Sequence, residues 1–460
     1  MPTAPNQSNV MPAGRARMVA LIVTAFLPFA IGYHLSYIFR AINALISDRL
    51  IADLQLDAAQ LGLLTSAYFL SATLAMLPLG FALDRHGPGR VQGVCLLIAA
   101  AGAALFATAT DFIALFVGRL LIGVGVATAF MAGLKAIVMW FPKERVPVLN
   151  GILVAAGAAG ALAVAAPLDA LLAYVSWRTV FWGLAMAAAA SGILVLALVP
   201  AVPPSSVGLA APASVSLGQI AARADFWRLA PLSAMVIGSA GALQGLWVAP
   251  WLRDVARYDG NAISVHLTVM ACALCAGALG LGVAIERLRK RGIETQTLLA
   301  GLAVMFVAAE IALGLGLSFP TLLPCAIIGF AAAATVISYS AMAELFPKEA
   351  AGRANCLLNL MHFGVATIVQ FGFGAIVALW AKDDGGHYPT DAYGAALLVL
   401  AVLQLAALAW FAKPVLAKVS ARQPTRFSRQ MVGARTTPVL VLADPRRIAI
   451  SKRRRRRENG

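Results

Sequence analysis

One ten-residue signature occurs twice, about 205 residues apart: FPKERVPVLN at 141–150 is echoed by FPKEAAGRAN at 346–355. Phe, Pro, Lys, Glu and Asn keep their register. A looser pair, GFALDRHGPGR at 80–90 and GVAIERLRKRG at 282–292, repeats at a similar offset. A chain duplicated in this way folds as two related halves, with each polar signature on the same side of whatever the rest of the chain forms.

The rest of the chain is apolar. Of 460 residues, 61% are hydrophobic and only 12% charged, and the mean hydropathy is +0.83. A soluble domain carries about 25% charged residues. Runs of roughly 20 apolar residues are long enough to cross about 30 Å of hydrocarbon as helices, and they are continuous rather than alternating, which argues against a barrel. Twelve spans are expected, at 18–46, 59–82, 91–110, 112–140, 147–170, 178–199, 229–251, 262–285, 295–316, 320–346, 353–380 and 391–412. The expectation is an all-α membrane protein of twelve transmembrane helices in two pseudo-symmetric six-helix bundles, 18–199 and 229–412. The Pro- and Ser-rich stretch within 200–228 reads as the linker between them, with tails at 1–17 and 413–460.

Charge sets the expected orientation. With the N-terminus placed in the cytoplasm, fourteen Lys and Arg fall on inner loops and five on outer ones, as the positive-inside rule requires. Both termini are then cytoplasmic, in a cell (inner) membrane. The tail 413–460 holds 14 of the 36 basic residues and 2 of the 20 acidic ones, and so carries +12 of the net +16. Beside a membrane core such a tail meets anionic lipid headgroups rather than nucleic acid. Cys272 and Cys275 form a CxxC amid Ala and Leu without companion ligands, so they are read as packing residues. No cofactor or metal site is expected, and no cleavable signal pattern is seen in the first 17 residues.

On these residues the chain resembles the major facilitator superfamily. That family's loop between helices 2 and 3 carries Gly-x-x-x-Asp-Arg-x-Gly-x-x-Arg, matched by Gly80, Asp84, Arg85, Gly87 and Arg90, with a weaker copy at Gly282, Glu286 and Arg287. The resemblance implies a gate, in which Asp84 faces the start of helix 11 near Arg353 and Glu286 the start of helix 5 near Pro147. A carboxylate there meets the free N–H groups of a helix N-terminus. YIFRAIN, at 37–43, is similar to the helix 1 segment with which organophosphate antiporters and anion:cation symporters hold an anion. The acid that precedes this Arg in many symporters is Phe39 here, and the Glu expected after Arg119 is Val126. Helix 2 has no Arg of the nitrate-porter kind, and helix 5 lacks the drug antiporters' Gly-Pro-x-x-Gly-Gly block.

Polar groups inside spans are costly and so are candidates for function. Tyr33, Ser36, Tyr37, Arg40, Asn43 and Ser47 form a stripe on one face of helix 1, as their three- and four-residue spacing dictates. Arg40 is expected to touch substrate. On helix 4, Lys135 reads as a substrate or inner-gate contact against simple snorkelling, and Arg119 as a structural or gating residue. In the second half Gln244, Trp247, Tyr339, Asn359 and His362 offer neutral polar contacts, with helix–helix hydrogen bonding as the plainer alternative. A cationic first half and a neutral second half suggest a small anion with hydroxyl or amide groups. The expected function is therefore secondary active transport of a small organic solute by a monomer, with a proton or other ion as a coupling partner; the alternative is an exporter of neutral or cationic compounds, or a membrane-embedded protein without transport. For coupling, Glu310, His362, His34 and His266 are the candidate titrating groups. No catalytic cluster and no P-loop is visible, which leaves out a membrane enzyme and an ATP-driven pump.

Overall fold

The computed structural model describes residues 18–142, 144–200, 216–316 and 320–422. The expected N-tail at 1–17, most of the linker and the tail from 423 onward lie outside the described residues. Among the described residues, twelve helices are long and apolar enough to span a membrane. They are α1 Met18–Leu54, α2 Ala58–His86, α3 Pro88–Thr108, α4 Phe112–Trp140, α5 Val148–Leu172, α6 Trp177–Leu198, α7 Ala224–Asp254, α8 Gly260–Lys290, α9 Thr295–Gly314, α10 Leu322–Leu345, α11 Ala350–Val377 and α12 Thr390–Lys413. Several run past the expected ends: α1 reaches Leu54 rather than 46, and α7 begins at Ala224 rather than 229. The added turns carry Asp, Arg and Trp, so they lengthen the helix without lengthening the apolar stretch. Part of the expected linker is also ordered, as a short helix Leu217–Ala221 opened by a capping box between Ser216 and Gln219.

Helix ends follow local chemistry. The side chains of Asp57, Asp111, Ser176 and Asp259 each accept from a backbone N–H three residues on, at the starts of α2, α4, α6 and α8. Such caps satisfy donors that a helix start leaves without partners. Gly87 stands alone between α2 and α3 with φ of 81°, a conformation open to glycine and strained for other residues. That gives the glycine of the DRHG turn a geometric reason.

Two helices break at matching places. α4 is interrupted at Ala127–Thr128 and α10 at Ala333–Ala334, positions that fall within one residue of each other when Phe141 is laid on Phe346. At each break the N–H groups turn back to carbonyls three residues earlier, Ala127 to Val124 at 3.3 Å and Ala333 to Phe330 at 3.0 Å. A tight turn of this kind inside a helix frees carbonyls and gives a hinge. A second echo joins helix ends. Asp53, at the end of α1, accepts from Trp177 Nε1 at 2.8 Å and Arg178 Nη1 at 2.7 Å, at the start of α6. Asp254, at the end of α7, accepts from Tyr393 Oη at 2.7 Å and the Tyr388 backbone N–H at 3.3 Å, at the start of α12.

Packing inside each bundle relies on small residues, which let backbones approach. Gly102 lies against Gly118 between α3 and α4, and Gly277 against Phe330 between α8 and α10. Across the bundles the tightest meeting lies at the face opposite the FPKE loops. There a Cβ on Gly62 of α2 would sit 2.8 Å from the Gln370 carbonyl of α11, and one on Gly374 of α11 would sit 2.4 Å from the Ala58 carbonyl of α2. The Ala58 N–H donates to Tyr388 Oη at 3.2 Å, and Arg253 of α7 forms an ion pair with Asp48 of α1. On the FPKE side, by contrast, a Cβ on Gly80, Gly151, Gly282 or Gly352 would meet no atom within 4 Å. The face opposite the FPKE loops is the one that these contacts close.

Candidate functional site

Between the bundles lies a cavity of roughly 160 Å³. Its walls come from α1, α2, α4 and α5 of the first half and from α7, α8, α10 and α11 of the second. Both helix breaks reach it, through Val126 and Ala127 on one side and Ala332, Ala333 and Thr335 on the other. Its polar lining is Tyr33, Ser36, Tyr37, Arg40, Tyr68, Thr335, Tyr339, Asn359 and His362, and no Asp or Glu is among the lining residues.

Arg40 is the single fixed charge on these walls. Its guanidinium lies 5.5 Å from the Tyr37 ring centre and 5.6 Å from that of Phe69. Aromatic faces of this kind steady a cation without neutralising it. The head crosses to the other bundle, where a Cβ on Gly241 of α7 would come within 2.5 Å of Arg40 Nη2. The opposing wall is neutral. Tyr339 Oη donates to Asn359 Oδ1 at 2.7 Å, and the Tyr339 ring stacks on His362 at 5.9 Å. His362 Nε2 meets Ser233 Oγ of α7 at 2.7 Å, while Nδ1 is buried without a partner. On the first-half wall Tyr33 stacks on Phe130 at 5.1 Å, and Tyr68 Oη donates to the Ser36 carbonyl at 3.2 Å. The arrangement presents one planar cation to an array of hydroxyl, amide and imidazole groups.

Of the expected contacts, Tyr37, Arg40, Tyr339, Asn359 and His362 come together on the cavity wall. Four others do not. Asn43 is fully buried and donates through Nδ2 to Thr65 Oγ1 at 2.9 Å. Trp247 is 1% exposed, stacked on Phe373 at 4.8 Å, with its Nε1–H on the Gln370 carbonyl at 3.1 Å. It seals the closed face instead of lining the cavity. Gln244, three residues earlier on α7, is also outside the lining. Lys135 is outside the lining as well: its ammonium pairs with Asp84 Oδ1 at 2.7 Å and donates to the Leu83 carbonyl at 2.8 Å. The tip of α4 is thereby tied to the end of α2 within one bundle.

The residues of the expected gate are placed as follows. Asp84 takes Lys135, and Glu286 takes Lys290 of its own helix at 2.9 Å. Arg85, Arg90 and Arg287 are exposed at the FPKE face. Arg119 is 0% exposed, donates to the Phe39 carbonyl at 2.9 Å, and lies over the Tyr68 and Phe106 rings. It stands behind the cavity wall and braces α1 and α2 against α4. Among the other titrating candidates, Glu310 is fully buried on α9 against Gln404 of α12 at 2.7 Å, and His266 is bonded at both ring nitrogens. His34 bonds the Ala156 carbonyl at 2.9 Å. Cys272 is exposed and free rather than packed. Outside the spans, the Arg257 guanidinium and the His387 backbone N–H hold the Asp383 carboxyl below the usual carboxylate range. Tyr68 and Phe69, which also line the cavity, were not singled out from the sequence. The aromatic pair of α2 sits among small residues, the one signal that could have marked it.

Residues 29–370 match the family model of the Major Facilitator Superfamily. The chain belongs to the Major Facilitator Superfamily. That family is one of multi-pass membrane transporters that bind small-molecule substrates. The fold of this chain is similar to the structure of a bacterial homologue of the human lysosomal transporter Spinster in an inward-facing, unoccupied conformation. The TM-score there is 0.67 at 17% identity, over 86% of this chain and 96% of that one. A point mutant of the nucleoside transporter NupG gives 0.65 at 14% identity, over 84% and 98%.

Curated relatives match over shorter stretches. The nitrate/nitrite transporter NrtP of Picosynechococcus sp. is 36% identical over 100 residues, 22% of this chain and 18% of that protein. The probable galactarate/D-glucarate transporter GudP of Bacillus subtilis is 29% identical over 146 residues, 30% of this superfamily member and 31% of its own length. The probable L-galactonate transporter of Escherichia coli is 29% identical over 167 residues, 36% of each. The chain thus spans about a third or less of the length of these relatives.

Proposed function

We propose that this superfamily member moves a small organic anion, bearing hydroxyl or amide groups beside its charge, by alternating access. The observation that carries the reading is Arg40: a guanidinium on the cavity wall, flanked by rings, with no acid among the lining residues. A charge inside a membrane span without a counter-ion is costly, and an anionic substrate supplies one. The cavity of roughly 160 Å³ holds about ten waters, so an ion of nitrate size fills only a small part of it. The absence of an Arg from the apolar stretch of α2, residues 61–80, also weighs against nitrate. Tyr37, Tyr339, Asn359 and His362 suit the hydroxyl groups of a sugar acid, and the partial likeness to galactonate and galactarate transporters supports the same class.

In this reading 18–199 and 229–412 rock as two bodies about the cavity, in a cell membrane with both termini cytoplasmic. The FPKE face is then the cytoplasmic one, and the basic tail 413–460 rests on anionic headgroups. When that face closes, Asp84 releases Lys135 for the start of α11, and Glu286 meets the start of α5. The test is counterflow in proteoliposomes holding L-galactonate, galactarate, D-glucarate or nitrate, with galactose as neutral control. Exchange of a sugar acid that is lost in Arg40→Ala supports the proposal. Exchange of galactose instead, or normal exchange in Arg40→Ala, overturns it.

A further inference from the structure

We propose that the substrate is an acid charged at one end only, held with its carboxylate toward the closed face and its hydroxylated tail toward the FPKE face, so that acids charged at both ends are refused. The proposal rests on the anion reading above and adds which anions the cavity admits. Arg40 and Arg119 stand at one end of the cavity. The Arg40 guanidinium lies 5.6 Å from the Phe69 ring, and that of Arg119, from behind the wall, lies 5.9 Å from the Tyr68 ring. Tyr68 and Phe69 are neighbours in the half of α2 nearer Ala58 and the closed face. Arg119 also donates to the carbonyl of Phe39, the residue before Arg40, while its Nε and Nη2 are buried without a partner. A guanidinium keeps its charge at any working pH, and no Asp or Glu is among the lining residues. The positive field therefore belongs to this end.

The other end is neutral. Met76 follows Phe69 on α2 by seven residues, two turns along the same helix face and about 10 Å of rise. There its sulfur accepts from Asn359 Nδ2 of α11 at 3.5 Å, and Asn359 Oδ1 accepts from Tyr339 Oη of α10 at 2.7 Å. The Tyr339 bond fixes the amide with its donor side toward Met76. A thioether is a weak acceptor, so a substrate hydroxyl readily takes its place. No cation other than Arg40 lines the cavity at any level. Lys135 of α4 is held by Asp84 at 2.7 Å, and the His362 ring, tied through Nε2 to Ser233 Oγ at 2.7 Å, adds no permanent charge.

Charge decides orientation and exclusion together. A carboxylate at the closed end meets the planar fork of Arg40 and the field of Arg119, and a six-carbon tail then reaches toward Tyr339 and Asn359. A second carboxylate on that tail would give up its water for one amide N–H, with no cation to offset the rest. Burying a charge without a partner is costly, whereas a hydroxyl or an amide at the same place is matched by the groups present. Turning a diacid around does not help, because its two ends are alike.

The test is calorimetric titration of the purified full-length protein with L-galactonate, galactarate and the monoamide of galactarate. The monoamide keeps the carbon chain and hydroxyls of galactarate and replaces one carboxylate by a neutral group of similar shape, so it separates charge from size. At about pH 7 both carboxylates of galactarate are ionised. Galactonate and the monoamide should bind, and galactarate should bind at least about tenfold more weakly than its monoamide. In Met76→Lys, which sets an ammonium at the far end, that gap should close or reverse. Galactarate binding wild type as tightly as its monoamide, or more tightly, overturns the proposal and leaves the anion reading standing; because it needs no variant, it holds even if Met76→Lys fails to fold. Binding of galactonate with neither galactarate nor its monoamide also overturns it, since size rather than charge would then exclude them. A gap unchanged in folded Met76→Lys overturns the placement of the tail. Absence of binding heat with all three probes removes the anion reading and this proposal with it.

Discussion

At the scale of single residues, function concentrates on Arg40 and on the neutral groups opposite it. Truncating Arg40 to Ala removes a charge-assisted, two-pronged contact, so anion affinity should fall by about 1.5–3 kcal/mol, measured by titration. Arg40→Lys should recover part of this, because an ammonium keeps the charge without the planar fork. Gly241 gives a subtler probe. A methyl there would crowd Arg40 Nη2, which lies 2.5 Å from the position of that Cβ. Gly241→Ala should therefore weaken anion binding several-fold with the charge intact, by an amount of order 1 kcal/mol; unchanged affinity would show that the guanidinium is free to move aside. Arg40 was legible in the sequence because its three- and four-residue stripe marks a wet helix face. Lys135 was not. Its partner Asp84 lies 51 residues away, and no spacing rule on one helix reveals a pairing between two.

At the scale of elements, helix ends and helix crossings carry the account. Asp254, with a fully buried side chain, serves Arg253, His387, Tyr393 Oη and the Tyr388 N–H at once. Asp254→Ala strands these donors, and the loss should be about 3–5 kcal/mol, seen as a lower melting temperature. Asp225, paired with Arg223 at an exposed site of 50% exposure, should cost under about 1 kcal/mol when replaced. Equal shifts for the two would deny the Asp254 network its weight. At the α2–α11 crossing, Gly374→Ala should open the closed face, since its Cβ would sit 2.4 Å from the Ala58 carbonyl of α2. The check is thiol labelling of Ser36→Cys, on a background lacking the exposed Cys272. Reagent supplied from the face opposite the FPKE loops should react faster in the variant, and no change would mean the crossing tolerates the methyl. Trp247 also shows why the sequence misled. Polarity marks a residue as special, but the rotation of α7 about its axis decides whether it meets solute or protein. The breaks in α4 and α10 were equally hidden, since Ala127–Thr128 and Ala333–Ala334 hold neither Pro nor Gly.

At the scale of the whole molecule, the duplicated FPKE signature and the apolar runs were enough to read twelve spans in two related bundles, because both follow from local composition and repeat. The closed face was not legible. It arises where Gly62, Gly374, Trp247, Asp48 and Arg253 meet from four helices, and only the docking of one bundle on the other brings them together. The cavity follows from the same docking, and its charge decides the substrate class. The most direct measurement is therefore calorimetric titration of the purified transporter with a sugar acid and with the neutral sugar of the same size. L-galactonate should bind while galactose gives no heat, and Arg40→Ala should lose that distinction. Equal binding of the acid and the sugar, or preference for the neutral sugar, would contradict an anion held on Arg40.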